Sequence, residues 1–229
     1  AYLSVVESLV HGGIANEAGI DLDWVEAEDL KDDATTASRL QGADGIIVPG
    51  GFGSRGIEGM VNTAKYARTH NVPYFGICLG MQIMVIEYAR NVLGYKDAHS
   101  TEMDKNTTHP VIDLMPDQNG KILGGTLRLG KFACTVTPGT LTQKAYGAET
   151  IWERHRHRYE FNNAYREELQ KAGLIIAGVN PERDLVEIVE VPNHPWMLGG
   201  QFHPEFKSRP NRAGPLFRDF IAASIANKK

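Results

Sequence analysis

Cys78 stands inside Gly76-Ile77-Cys78-Leu79-Gly80, between a short apolar run and a longer one. Glycine on both sides of a nucleophile marks a sharp strand-to-helix elbow, where the crowded backbone leaves no room for a β-carbon. An elbow of this kind presents its side chain at the carboxyl end of a sheet, where open α/β folds place their sites. The positive end of the following helix favours the reactive thiolate over the thiol. The plain alternative is a small buried hydrophobe, the commonest role of a free cysteine.

A second tract, Gly50-Gly51-Phe52-Gly53-Ser54-Arg55-Gly56, carries G-x-G-x-x-G at Gly51, Gly53 and Gly56. A dinucleotide fold also wants an acidic residue about 20 residues on, and none stands between Tyr66 and Cys78. The tract does not end in Gly-Lys-Ser/Thr, so it is no nucleotide P-loop. A glycine turn offering backbone N–H groups to an oxyanion fits better, with a plain tight turn as the alternative.

His203-Pro204-Glu205 is the third. Residues i and i+2 of an extended segment face the same way, so Glu205 can hold one imidazole nitrogen and leave the other for a nucleophile. A metal site lacks a further Cys or His at ligand spacing, and a surface His beside a surface Glu is the ordinary alternative. In Arg154-His155-Arg156-His157-Arg158-Tyr159-Glu160 a strand would set the three arginines on one face and the two histidines on the other. Arginine forking onto a small ligand's carboxylate competes with a merely solvated charged face. A metal pair at His155 and His157 has nothing nearby to complete it.

The elements that must position these groups read as α/β. Leu3, Val6, Leu9 and Val10 fall at helical spacing, with Gly12-Gly13 as the stop. Ile20, Leu22 and Trp24 alternate with Asp21, Asp23 and Val25 as a half-buried strand, and a short polar helix runs to Leu40. Buried strands at 45–48 and 73–77 are each followed by a helix, about 57–67 and 80–92, which implies parallel βαβ units. The polar stretch 94–120 reads as loop. Antiparallel strands are expected at 125–129, 132–136, 150–160, 174–179 and 185–191, with a helix at 164–172, a last strand at 196–202 and a closing helix at 215–227. The fold class is α/β, a mostly parallel central sheet flanked by helices with additional antiparallel strands, in one domain spanning 1–229.

The 229 residues carry 24 Lys and Arg against 28 Asp and Glu, a net charge of −4. That balance argues against a general nucleic-acid or anionic-membrane binder. The richest apolar stretch is about 14 residues, short of the ~20 a membrane-spanning helix needs. Two cysteines cannot staple a chain this long, so a reducing, cytoplasmic compartment is the default. The chain opens on Ala1 inside a helical pattern and reads as a piece of something longer.

Taken together, the elbow, the glycine turn and the distant His-x-Glu resemble the class I, triad-type glutamine amidotransferases, a flavodoxin-like fold. Val48 to Gly53, Gly76 to Gln82, Gly124-Gly125-Thr126-Leu127-Arg128-Leu129-Gly130, Glu153 to Glu160 and Gln201 to Phe206 narrow the resemblance to the glutaminase domains of the CTP synthase family, over nearly the whole chain in order. The resemblance implies that Cys78 attacks the γ-carboxamide of L-glutamine, His203 moves protons and Glu205 orients His203. Backbone N–H groups of Gly51 and Leu79 would hold the oxyanion. Gly51 and Phe52, the run Leu79, Gly80, Met81 and Gln82, and then Glu102, Arg158 and Tyr159 would line the glutamine pocket. Within it, Arg158 would take the α-carboxylate and Glu102 the α-ammonium.

The glutaminase step would need no cofactor or metal. Its ammonia would pass to a synthetase domain of the same polypeptide, which uses ATP, Mg2+ and UTP to make CTP, with GTP as allosteric activator and Arg55 in a lid-like turn. That domain and the strand usually preceding Ala1 are absent from this chain, and the loop between 116 and 124 is short for the family. Tetramers and filaments belong to the full-length enzyme. The alternatives are the glutaminase of another synthetase, a free-standing γ-glutamyl hydrolase, or a silent regulatory or assembly module.

Overall fold

The computed structural model describes residues 2–114 and 127–228. Helix α1 (Leu3–Ala15) and α2 (Asp33–Leu40) precede strand β1 (Ile46–Val48). Helix α3 (Ile57–His70), β2 (Tyr74–Ile77) and α4 (Leu79–Tyr88) complete the βαβα run, and a π turn at Ala89–Leu93 extends α4. Then come β3 (His99–Ser100), β4 (Pro110–Leu114), β5 (Arg128–Val136), α5 (Leu141–Tyr146), β6 (Thr150–His157) and β7 (Tyr159–Phe161). Helix α6 (Arg166–Lys171), β8 (Ile175–Asn180), β9 (Leu185–Glu190), β10 (Met197–Gly200) and α7 (Pro215–Asn227) close the chain.

Seven strands form one sheet in the order β1-β2-β10-β9-β8-β5-β6, and β3-β4-β7 form a second. The α/β class stands, but the large sheet is mixed rather than mostly parallel. Among the described strands of this sheet only β1–β2 and β2–β10 pair in parallel; β10–β9, β9–β8, β8–β5 and β5–β6 are antiparallel. Parallel pairing needs a long crossover, and only the β1-to-β2 and β2-to-β10 connections in this sheet supply one between neighbours. The later strands are joined by shorter connections that reverse direction.

Alternate residues of the central strands feed two cores. Val48, Tyr74 and Met197 pack with α3 and α4, while Phe75, Ile77 and Leu198 pack with α1 and α7. Phe75 meets Trp196 and Phe217 edge to face, with centroids 5.6 and 5.2 Å away. The sheet is therefore covered on both faces where β2 hands over to α4, and the elbow is held from below and from both sides.

Several sequence expectations fail for reasons of packing. Gly12-Gly13 do not stop α1; Gly12 lets it approach α7, since a β-carbon there would lie 2.8 Å from the Phe217 carbonyl oxygen, and Gly13 admits the chain at Ala18 and Ile20. No strand forms at 20–24, and Trp24 is 65% exposed. Alternation makes a strand only where a ladder partner can satisfy the backbone, and none of the described strands pairs with this segment. The stretch 94–120 contains β3 and β4, too short to show a period. The single strand expected at 150–160 breaks at Arg158, so β6 stays in the large sheet and β7 joins the small one. The strand expected at 125–129 is replaced in its described part by the start of β5, while the 124–126 end of the glycine tract and the loop 116–124 lie outside the described residues.

Candidate active site

Cys78 has φ 52° and ψ −100°, the left-handed, strained backbone of an elbow, one step after β2 and one before α4. Its N–H donates to Gly200 O at 2.7 Å, tying the elbow to the end of β10. The glycines here are steric requirements. A β-carbon at Gly80 would stand 2.0 Å from Val48 O, so α4 starts directly against β1. One at Gly50 would stand 2.8 Å from His203 Cε1 and 3.5 Å from Cys78 Cβ, which puts the turn, the imidazole and the thiol in one place.

His203 follows β10, and its backbone N–H donates to Arg154 O of β6 at 2.8 Å. Its Nδ1 lies 2.7 Å from Glu205 Oε1 inside a short 3-10 turn, and the ring stands beside Cys78 at the Gly50 turn. Phe206 stacks on the imidazole with centroids 5.6 Å apart. Burial works to lower the His203 pKa, but the hydrogen bonds and charges of Cys78 and Glu205 outweigh it and raise the group from 6.5 to about 10. The geometry thus favours imidazolium at neutral pH.

A basic group raised on folding contributes stability that is fully present below its unfolded value and lost as pH rises through the folded one. The urea midpoint of this chain should therefore fall between pH 6.5 and about 10 more steeply than that of a His203→Asn chain. Parallel pH profiles for the two would count against the pair.

The other expected residues gather unevenly. Gly51 sits against Leu79, since a β-carbon there would lie 3.1 Å from Leu79 Cδ2. Leu79 opens α4, so its N–H has no acceptor within the helix. Glu102 follows β3; its Oε1 accepts from Gly53 N at 3.3 Å, burial raises its pKa and the Arg158 charge opposes this. Glu102 thus sits against the glycine turn, within reach of the Arg158 charge. Gln82 is buried, and its Nε2 donates to Tyr159 O at 3.0 Å and to Gln201 Oε1 at 3.1 Å, which leaves Gln82 Oε1 for a ligand.

Gly80 meets the backbone of β1, and Phe52 is 88% exposed on the turn. Met81 is fully buried beneath Gly199, and its N–H is spent on Cys78 O, so it packs the core under the site rather than facing a ligand. Arg55 is exposed and its guanidinium holds Glu28 at 2.7 Å.

Of the basic tract, Arg154 and Arg156 face solvent while His155 and His157 are buried. The two histidines bond each other at 3.0 Å, and burial pushes His157 down to about 3, with His155 lower still. Beneath them Arg128 and Glu187, both buried, lie 2.6 Å apart as an ion pair. Among the described residues no group of three His, Cys, Asp or Glu side chains is placed to hold a metal ion. Sequence reasoning passed over Gln201, whose Nε2 lies 3.6 Å from Cys78 Sγ. The i, i+2 rule that joins His203 to Glu205 points to it when taken one step back.

Comparison with known proteins gives the family. The family model for class-I glutamine amidotransferases matches residues 1–223. The CTP synthase of Rubrobacter xylanophilus is 57% identical over 225 residues, 98% of this chain and 41% of the relative. That of Treponema denticola is 57% identical over 228 residues, 100% of this chain and 42% of the relative. The chain thus spans about two-fifths of the length of these relatives. A solved structure described as the Trypanosoma brucei CTPS glutaminase domain with bound acivicin superposes with a TM-score of 0.93 at 42% identity, covering 98% of this chain and 88% of that one. A family match that spans nearly every residue and a fold shared with that domain lead to one placement: the chain belongs to the class I glutamine amidotransferases, among the glutaminase domains of CTP synthases.

Proposed function

We propose that this chain hydrolyses L-glutamine to glutamate and ammonia through a thioester on Cys78. The observation that carries the reading is His203, set beside the elbow cysteine at the Gly50 turn and bonded at 2.7 Å to Glu205. Cys78 Sγ attacks the γ-carboxamide carbon, and the oxygen turns to the N–H groups of Gly51 and Leu79. The His203 imidazolium gives its proton to the departing nitrogen, which leaves as ammonia, and the thioester remains. Neutral His203 then takes a proton from water, whose oxygen attacks the thioester carbon and releases glutamate and the Cys78 thiolate. Glu205 holds the imidazole in register throughout.

Arg158 and Glu102 recognise the α-carboxylate and α-ammonium, with Gln82 Oε1 as a further acceptor. The Arg158 charge felt at Glu102, and the bond of Glu102 to the glycine turn, support this division of charge.

The chain is the glutaminase domain of a longer polypeptide, whose synthetase domain uses ATP, Mg2+ and UTP to turn the ammonia into CTP. The name and length of the relatives support this. GTP acts there as an allosteric activator, with Arg55 in the responsive turn. The full-length protein forms tetramers and filaments in the cytoplasm, and neither nucleic acid nor membrane is a partner. No helix among the described residues is long and apolar enough to cross a membrane.

Incubation with 6-diazo-5-oxo-norleucine, an electrophilic glutamine analogue, tests the site by intact mass. A single adduct is expected, lost in Cys78→Ala and slowed by excess glutamine. A folded chain that takes no adduct would sink the reading.

A further inference from the structure

Gln201 follows β10 and is fully buried beside the elbow. Its backbone N–H donates to Glu187 O of β9 at 2.8 Å, while its neighbour Gly200 accepts the N–H of Cys78 at 2.7 Å. The side chain is thus set between β9 and the nucleophile by main-chain bonds on both sides. Its Nε2 lies 3.6 Å from Cys78 Sγ, within reach of an N–H···S bond, and its Oε1 accepts from Gln82 Nε2 at 3.1 Å.

The orientation of this amide follows from its partners. Tyr159 O is a carbonyl and only accepts, so the Gln82 group that meets it at 3.0 Å is the NH2. The second N–H of that NH2 points at Gln201, which must therefore present its oxygen there and its own NH2 to the sulfur. Flipping Gln201 would set NH2 against NH2 at Gln82, losing that bond, and would turn the amide donor away from the sulfur. A sulfur buried at the end of an apolar strand loses the water that would stabilise its negative charge, and a fixed donor restores part of that stabilisation.

We propose that Gln201 is a positioning residue for the nucleophile, donating a side-chain N–H to the Cys78 sulfur so that the thiolate is held and aimed, while its carbonyl locks Gln82 beside the glutamine pocket. The proposal rests on Cys78 being the nucleophile of the reading above. It adds a donor to the sulfur that the triad itself does not contain. It also makes one amide the link between the substrate-binding side of α4 and the reacting atom.

The test is the pH profile of Cys78 alkylation by iodoacetamide, which needs no glutamine, with a Cys78→Ala chain supplying the background. In Gln201→Met the profile should move up by about one pH unit, so that alkylation near pH 7 slows about ten-fold. Gln201→Glu keeps an acceptor for Gln82 but turns no donor toward the sulfur, and its profile should move further in the same direction. Unmoved profiles in folded variants overturn the proposal.

A second measurement uses the unsubstituted chain and so does not depend on how the variants fold. The Gln201 side-chain amide resonance should shift with pH at the midpoint of the alkylation profile and stay fixed in Cys78→Ala. A resonance that ignores the titration overturns the proposal as well. If the profiles move but the glutamine analogue leaves no adduct, the glutaminase reading fails while the role of Gln201 stands. An adduct with unmoved profiles keeps the glutaminase reading and removes the role of Gln201.

Discussion

Replacing His203 with Asn should lower the rate of glutamine hydrolysis by about 10^3- to 10^4-fold, the span usually lost with a general acid–base and its ion-pair partner. Two separate contributions disappear together. On the proposed reading, the positive charge beside the Cys78 sulfur is gone, and so is the proton that the departing nitrogen needs. Asn can still reach Glu205 from a similar position, so the 3-10 turn and the Arg154 O bond to residue 203 should survive. The loss should fall on kcat, with KM for glutamine changed far less, because Arg158, Glu102 and Gln82 are untouched. Initial rates of ammonia release, read beside the rate of adduct formation with the diazo analogue, would check both halves. A loss below ten-fold would remove His203 from the chemistry.

Gly80→Ala should be strongly destabilising, costing about 3 kcal/mol or more, at or beyond the usual upper range for overpacking. The new β-carbon would stand 2.0 Å from Val48 O and 2.9 Å from Val48 C, so it meets main chain rather than a side chain that could rotate away. Relief requires α4 to lift off β1, which moves Cys78, Leu79 and Gln82 together. Activity should therefore fall with stability instead of surviving it. Gly19→Ala is the control, since nothing stands within 4 Å of a β-carbon there; its effect should stay within about 0.5 kcal/mol. Urea midpoints of the three chains give the comparison, and a Gly80→Ala chain as stable as the control would mean that the elbow is looser than its contacts state.

Much of the candidate site is legible in the sequence because its signals are local. Glycines around Cys78 mark a place where a β-carbon does not fit, and the i, i+2 spacing of His203 and Glu205 is set by extended backbone. Both readings survive in the folded chain as the strained φ of Cys78 and the 2.7 Å contact of His203 with Glu205. The central strands and the helices α3, α4 and α7 are legible for the same reason, since burial repeats along neighbouring residues. The strand expected at 20–24 fails because a strand depends on a partner elsewhere. Gly12-Gly13 mislead because a glycine that admits another helix looks, in sequence, like one that ends its own.

The sequence by itself determined the elbow, the pairing of His203 with Glu205, the α/β class and the family resemblance. Only the tertiary structure decided that four of the six pairings in the large sheet are antiparallel, that Met81 belongs to the core, and that the chain breaks at Arg158 to bring Tyr159 over Gln82. It also decided which way the Gln201 amide points, through partners at positions 78 and 82 that lie more than a hundred residues away. Local sterics and periodicity are written into adjacent residues, whereas sheet order, amide orientation and the charge state of a buried imidazole depend on groups that only folding brings within a few ångströms.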